Sequence, residues 1–200
     1  MKLSTELKKA WDRLSEEGPV GLARAVRTFG TYHIYDKWKF VYLEFDLDGT
    51  NYALEDQNLK IRRADAQALD RIKEDIFPHL TGENAYDRKY FDQLGVADPC
   101  CFLAETEGAI IHYSWVFLNV VESPLMAVPF DSSQLRDDDS YVGPVFTRPG
   151  ARGMTYLYVL PVLLDYLREQ NKKRALVLVD GRNRAAVKFY TRLGFKVLPS

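Results

Sequence analysis

The sequence predicts a mixed α/β fold, a central and mostly antiparallel sheet flanked by helices, preceded by a helical and strand extension. Three features of the 200-residue chain carry that expectation. A strand–helix–strand pattern closes the chain, over residues 141–147, 155–170 and 174–179. Two apolar runs, residues 100–105 and 109–120, flank the tight turn Glu107-Gly108 and read as a hairpin. A strand and two helices precede that hairpin. Helices ahead of a meander, with a crossover unit at the end, describe helices packed on a sheet.

In chain order, residues 3–16 place Leu3, Leu7, Ala10, Trp11 and Leu14 at three- and four-residue spacing, the period of an amphipathic helix. Gly18-Pro19 breaks it, and residues 20–29 are expected to form another helix. Residues 39–47 alternate as a strand does, with Phe40, Tyr42 and Glu44 on one face and Val41, Leu43 and Phe45 on the other. Asp48-Gly49 signals a turn toward residues 51–54. A boundary near residues 55–58 separates an extension, residues 1–57, from a main domain, residues 58–200. The main domain opens with a strand over residues 59–63. Asp65 then caps a helix that runs through Ile76, with Leu69, Ile72 and Ile76 inward. Residues 84–94 form a second helix, ended by Gly95. Residues 132–140 are a polar loop leading into the strand at 141–147.

Composition narrows the class. At 46% hydrophobic and 28% charged residues the chain is ordinary globular material, and three Trp, twelve Tyr and eleven Phe supply a substantial core. No apolar run approaches the roughly 18 residues of a membrane span, and the N-terminus has no apolar signal core, so a cytoplasmic protein is expected. Cys100 and Cys101 are adjacent; they make neither a disulfide framework nor a metal site and read as a buried, reduced pair. No metal is expected. From Val145 onward eleven Lys and Arg stand against three acids, a charge of +8, which leaves −9 for residues 1–144 of a chain whose net charge is −1. A basic segment of this kind suits a polyanionic ligand. Without a basic-aromatic ladder or a recognition helix, nucleic acid is not the expected partner.

The basic segment contains two motifs. Arg148-Pro149-Gly150-Ala151-Arg152-Gly153 is a turn between strand and helix, and the helix start over Met154, Thr155, Tyr156 and Leu157 offers N–H groups and a positive dipole end to phosphate. An ordinary strand-to-helix connection would read the same way. The turn is not the nucleotide P-loop pattern. Pro161 lies inside the helix and should kink it near its second turn. The chain then closes with Asn183-Arg184-Ala185-Ala186-Val187-Lys188-Phe189-Tyr190, followed by Gly194-Phe195. Asn183 is a good N-cap, and Tyr190 reads equally as a core aromatic.

Strand, Arg-Gly turn, helix, strand, Asn, short helix, Tyr and Gly-Phe, in that order, resemble the GCN5-related N-acetyltransferase (GNAT) superfamily over roughly residues 59–200. The closing motif matches the family pattern Asn-x-x-Ala-x-x-Phe-Tyr-x-x-x-Gly-Phe. The turn keeps the Arg and one glycine of the family set, but Thr155 and Leu157 stand where small residues are usual. The resemblance implies direct transfer of an acetyl group from acetyl-CoA to a primary amine. It implies that backbone groups of Val145, Phe146 and Thr147 pair with the pantetheine arm along a strand edge left open where the sheet splays. It also implies that Arg152, Gly153, Met154, Thr155, Tyr156 and Leu157 hold the phosphates, with a hydroxyl contact from Thr155. Asn183 would then touch the cofactor arm, and Tyr190 would protonate the departing thiolate.

The amine must also lose a proton. The candidates are Glu105 and Glu107 at the hairpin, His112 and Tyr113 on the next strand, and Asp137, Asp138 and Asp139 in the polar loop. The acceptor is a small-molecule or peptide amine whose identity the sequence does not give. A homodimer is the prior for the assembly. Two other readings compete: an acyl-CoA-binding module without catalysis, and an acyltransferase that takes a longer acyl-CoA or an aminoacyl-tRNA.

Overall fold

The computed structural model describes residues 40–49, 58–80, 88, 91, 100–127 and 130–198. The helices expected at 3–16 and 20–29 and the strand at 51–54 lie outside the described residues, as does nearly all of the helix at 84–94. By packing, the chain divides into two compact units. One joins residues 1–41 to 179–187, and the other joins residues 42–178 to 188–200.

The described elements are β1 (Phe40–Asp46), β2 (Lys60–Arg63), α1 (Ala66–Asp75), β3 (Cys100–Thr106), β4 (Ala109–Phe117), β5 (Asp139–Thr147), α2 (Thr155–Glu169), β6 (Arg174–Asp180), α3 (Arg184–Arg192) and β7 (Lys196–Val197). The strands form one seven-stranded sheet in the order β2-β3-β4-β5-β6-β1-β7. β2–β3, β3–β4, β4–β5 and β1–β7 pair antiparallel, and β5–β6 pair parallel. This is the mostly antiparallel, helix-flanked sheet that the sequence predicts. Strand β1, which the sequence reading places in the extension, is a member of this sheet and pairs with β7 through Leu43↔Val197 and Glu44↔Lys196. Its Phe45 packs on Phe195, with ring centroids 4.9 Å apart.

Local rules explain the elements that hold the site. Asp65 caps α1 by accepting from Ala68 N at 2.7 Å, and Ala68, Leu69 and Ile72 are buried beneath it. At the hairpin tip Glu107 and Gly108 both take positive φ, +50° and +78°. Glu105 accepts from Arg62 at 3.0 Å and from Arg71 at 3.1 Å, and Asp75 accepts from Ile110 N at 2.9 Å. These bonds tie α1 to the β3–β4 hairpin. Along β4 the side chains alternate between two layers. Tyr113 and Trp115 meet Phe91 edge-on, while His112 faces Tyr156 of α2, and Phe102 of β3 meets Tyr166 of the same helix. Helix α2 runs from Thr155 through the buried Pro161 to Glu169 and buries Leu160, Leu163, Leu164 and Leu167. Cys100 and Cys101 are both buried free thiols, as expected.

Candidate active site

Strands β5 and β6 run side by side for three residues and then part. Their register is Asp139↔Arg174, Ser140↔Ala175 and Tyr141↔Leu176, and beyond Tyr141 they share no ladder pair among the described residues. β5 instead follows β4 as far as the pair His112↔Thr147. The first of the three pairs is also an ion pair. Arg174 Nε donates to Asp139 Oδ1 at 2.6 Å and Nη2 to Oδ2 at 2.7 Å, while Nη1 donates to Glu44 Oε2 at 2.7 Å. The Asp139 and Arg174 side chains are 0% and 6% exposed. A forked, buried bond of this kind fixes the closed end of the gap between the strands.

The β4–β5 register slips once, between Ser114 and Val116, which leaves one extra residue on β5 at Gly143-Pro144. Gly143 has φ of +146°, and the Gly143-Pro144 peptide is cis. A Cβ at Gly143 would lie 2.8 Å from Tyr141 Oη, so the position needs glycine for both conformation and space. Past the bulge, Arg148 N donates to Ile111 O of β4 at 2.9 Å. Strand backbone groups alternate in direction, so Phe146 also faces β4, while the N–H and C=O of Val145 and Thr147 face the diverging edge. Arg152 Nε donates to Thr147 O at 3.3 Å, and its guanidinium lies 5.9 Å from the centre of the Phe146 ring.

The turn into α2 is a short 3-10 segment, Pro149–Ala151. Gly153 follows at φ +102°. Met154 stands at the N-cap position without a side-chain cap bond, and Leu157 N donates to Met154 O at 2.9 Å, so an anion at this helix start would meet the N–H groups ahead of Leu157. Thr155 Oγ1 donates to Ala151 O at 2.7 Å. That bond closes the turn and commits the hydroxyl proton that the sequence reading assigns to a phosphate contact.

Tyr156, one residue on, brings its phenol to Tyr190 of α3, with the two Oη atoms 3.1 Å apart. Either hydroxyl can donate, since each carries one rotatable O–H. The Tyr156 ring stacks between His112, at 5.4 Å, and Phe189, at 5.7 Å. Tyr190 is held edge-on by Phe189 at 5.6 Å and Phe195 at 5.0 Å. Burial pushes the Tyr190 phenol up to about 12, with the bond to Tyr156 pulling the other way. Burial holds Tyr156 well above the ordinary tyrosine value, reinforced by Tyr190 and by the nearby Tyr141. Both phenols therefore stay protonated at neutral pH.

His112 is 0% exposed and bridges two hydroxyls, Nδ1 to Thr147 Oγ1 and Nε2 to Ser114 Oγ, each at 2.7 Å. Burial lowers its pKa to about 3. It is a neutral strut, unsuited to taking a proton from an amine near neutrality. The other proposed bases divide in the same way. Glu105 and Asp139 are held in ion pairs, and Tyr113 is buried on the opposite face against Phe146. Asp137 and Asp138 supply backbone carbonyls to Lys172 and Lys173 at the closed end, and Glu107 is exposed at the hairpin tip.

Of the residues singled out in the sequence, Val145, Phe146, Thr147, Arg152, Gly153, Met154, Thr155, Tyr156, Leu157 and Tyr190 all fall in one compact unit. Asn183 falls in the other, where its Oδ1 accepts from Ala186 N at 3.1 Å and caps α3. The sequence reading takes Tyr156 only as a turn residue and passes over Tyr141, Ser114 and the bulge. Glycine and proline together inside a strand pattern were the available sign of that bulge.

Comparison with known proteins gives a consistent result. The sequence pattern of the acetyltransferase (GNAT) family matches residues 66–195. A curated relative, mycothiol acetyltransferase of Streptomyces avermitilis, is 32% identical over 123 residues, covering 58% of this chain and 32% of that protein, so the chain spans about a third of that relative. Among solved structures, the glucosamine N-acetyltransferase region of a fungal multi-domain GH3 β-N-acetylglucosaminidase aligns with TM-score 0.59 at 13% identity, covering 86% of this chain and 22% of that one. A GNAT-family acetyltransferase from Colwellia psychrerythraea aligns with TM-score 0.57 at 16% identity, covering 80% of this chain and 52% of that one. At these identities the structural matches speak for the fold.

Proposed function

Because this chain belongs to the acetyltransferase (GNAT) family, we propose that it transfers an acetyl group from acetyl-CoA directly to a primary amine. The observation that carries this reading is the diverging edge of β5, which presents backbone groups of Val145 and Thr147. An extended amide-containing arm can add to that edge as a further strand. Arg152 leaves the Thr147 carbonyl when the arm arrives and turns its charge to the phosphates. The first N–H groups of α2 complete the phosphate site.

In the proposed reaction a neutral amine attacks the thioester carbon, and the C–S bond breaks with its electron pair on sulfur. Tyr190, kept protonated by burial, gives its proton to that sulfur, and free coenzyme A leaves as the thiol. The amine releases its surplus proton to water, and Tyr190 regains one from water. The acceptor is a small-molecule or peptide amine. Among the described residues no helix is long and apolar enough to cross a membrane.

The test is calorimetric titration of acetyl-CoA into wild type, Arg152→Glu and Tyr190→Phe, followed by thiol release over an amine panel that includes glucosamine. We expect micromolar binding in wild type, at least tenfold weaker binding in Arg152→Glu, and unchanged binding with at least tenfold slower turnover in Tyr190→Phe. Absence of binding at millimolar acetyl-CoA would sink the proposal. Binding without turnover on any amine would leave an acyl-CoA-binding module.

A further inference from the structure

We infer that Tyr156 is a positioning residue for Tyr190: its phenol donates the hydrogen bond between them, leaving the Tyr190 proton free for the leaving sulfur. The inference rests on the proposed transfer reaction and adds to it a residue outside the closing Asn-to-Tyr motif.

Geometry restricts the pair to two arrangements. Both rings are fixed, Tyr156 between the faces of His112 and Phe189, and Tyr190 by edge contacts to Phe189 and Phe195. Only the two O–H bonds can turn. If Tyr190 donates across the 3.1 Å gap, its proton is committed to Tyr156 and is not available to sulfur. If Tyr156 donates, Tyr190 Oη accepts one bond and its own O–H is free to point elsewhere. When the Tyr190 O–H breaks and the proton goes to sulfur, a phenolate remains on Tyr190, and a donor already aimed at that oxygen stabilises it. The reverse arrangement leaves the phenolate facing a lone pair.

The surroundings keep both phenols protonated and in place. The titratable groups that act on Tyr156 are Tyr190 from α3 and Tyr141 from β5, with the His112 imidazole of β4 against its ring. Burial holds both phenols above the ordinary tyrosine value, so both O–H groups carry their protons and one of them must donate across the gap. His112 is fixed by Ser114 and Thr147 and serves as the floor on which Tyr156 lies.

Tyr156→Phe removes the donor and keeps both ring stacks. The decisive readout is the titration of position 190 itself. With 3,5-difluorotyrosine at that position, the phenol titrates in an accessible range and is followed by ultraviolet absorbance, in otherwise wild-type protein and in Tyr156→Phe. Loss of the donor should raise the midpoint by about one pH unit, the tenfold change expected for one net hydrogen bond of about 1.4 kcal/mol. Turnover with the best amine of the panel should fall about tenfold in kcat, while KM for acetyl-CoA stays within twofold. A midpoint that does not move, or moves down, overturns the inference even if Tyr190→Phe is inactive. Full turnover in Tyr190→Phe instead removes the acid assigned to the reaction, and with it the role given to Tyr156. The two failures are therefore read from different proteins.

Discussion

His112 should make the stability of this protein fall steeply as pH drops below about 6.5. In the folded state the imidazole is fully buried, bonded to Thr147 and Ser114, and titrates at about 3; unfolded it titrates at 6.5. Between those values the unfolded chain binds one more proton than the folded one, so acid favours unfolding. The slope is about 1.4 kcal/mol per pH unit in that window, and it flattens above 6.5 and below 3. Two pH units below 6.5, at about pH 4.5, this one group lowers stability by about 3 kcal/mol, and the full span is worth about 5 kcal/mol. His112→Gln offers an amide to the same two hydroxyls and does not titrate. At pH 7 the variant should be less stable by about 1–3 kcal/mol, through the lost ring contact with Tyr156 and imperfect bonding. Urea unfolding of both proteins at half-unit steps from pH 7.5 to 4.5 should show that difference shrinking by about 3 kcal/mol, so that the curves meet or cross. Parallel curves, constant to within about 0.5 kcal/mol, would refute the reasoning, because acid loss would then come from other groups.

Two further substitutions test the frame of the site. Arg174→Met leaves the Asp139 carboxylate buried without its forked partner and should cost about 3–5 kcal/mol in urea unfolding. The double variant Arg174→Met with Asp139→Leu should recover most of that loss, and a single-variant loss below about 1 kcal/mol would show the pair to be well solvated. Gly143→Ala puts a methyl group 2.8 Å from Tyr141 Oη at a φ of +146° and should lower the melting temperature measurably, by an amount corresponding to about 1–3 kcal/mol. An unchanged melting temperature would mean that the bulge relaxes without strain.

What the sequence disclosed was what short stretches of chain decide for themselves. Asp65 three residues before Ala68, Glu107-Gly108 at the hairpin tip and Asn183 three residues before Ala186 are contacts within one turn of backbone, and all were legible. The closing Asn-to-Tyr motif was legible for a different reason, because its order of residues is specific to a family. The bonds that give the site its geometry join residues far apart in the chain. Tyr156 and Tyr190 are 34 positions apart, and His112 and Thr147, like Asp139 and Arg174, are 35. Nothing in a local window marks such partners. The place of β1 in the sheet was hidden similarly, since a strand's alternation tells which face is apolar and not which strand lies beside it. Tyr156 illustrates the cost of a local reading: assigned by its neighbours to the turn into α2, it was not recognised as a phenol that reaches α3.

The gap beside β5 has a mechanical cause that these distant contacts supply together. A parallel neighbour should hold β5 along its whole length, yet β6 does so only over Asp139, Ser140 and Tyr141. The Arg174 fork fixes that end. At Gly143-Pro144 the extra residue turns β5, and Pro144 has no N–H to offer a neighbour. Beyond the bulge every described tie runs toward β4 or the turn: Arg148 N to Ile111 O, Thr147 Oγ1 to His112, and Thr147 O to Arg152. β5 therefore pairs with β6 over Asp139–Tyr141 and with β4 from Tyr141 to Thr147. The clamp and the strut then have separable effects. Loosening the Arg174 fork removes the fixed point from which the strands diverge, and should weaken fold stability and acetyl-CoA affinity together. Loosening His112 frees the far end of β5 and the floor beneath Tyr156, so its loss should appear more in kcat than in affinity. A substitution at His112 that weakened binding and left turnover intact would show that the strut serves the strand edge alone.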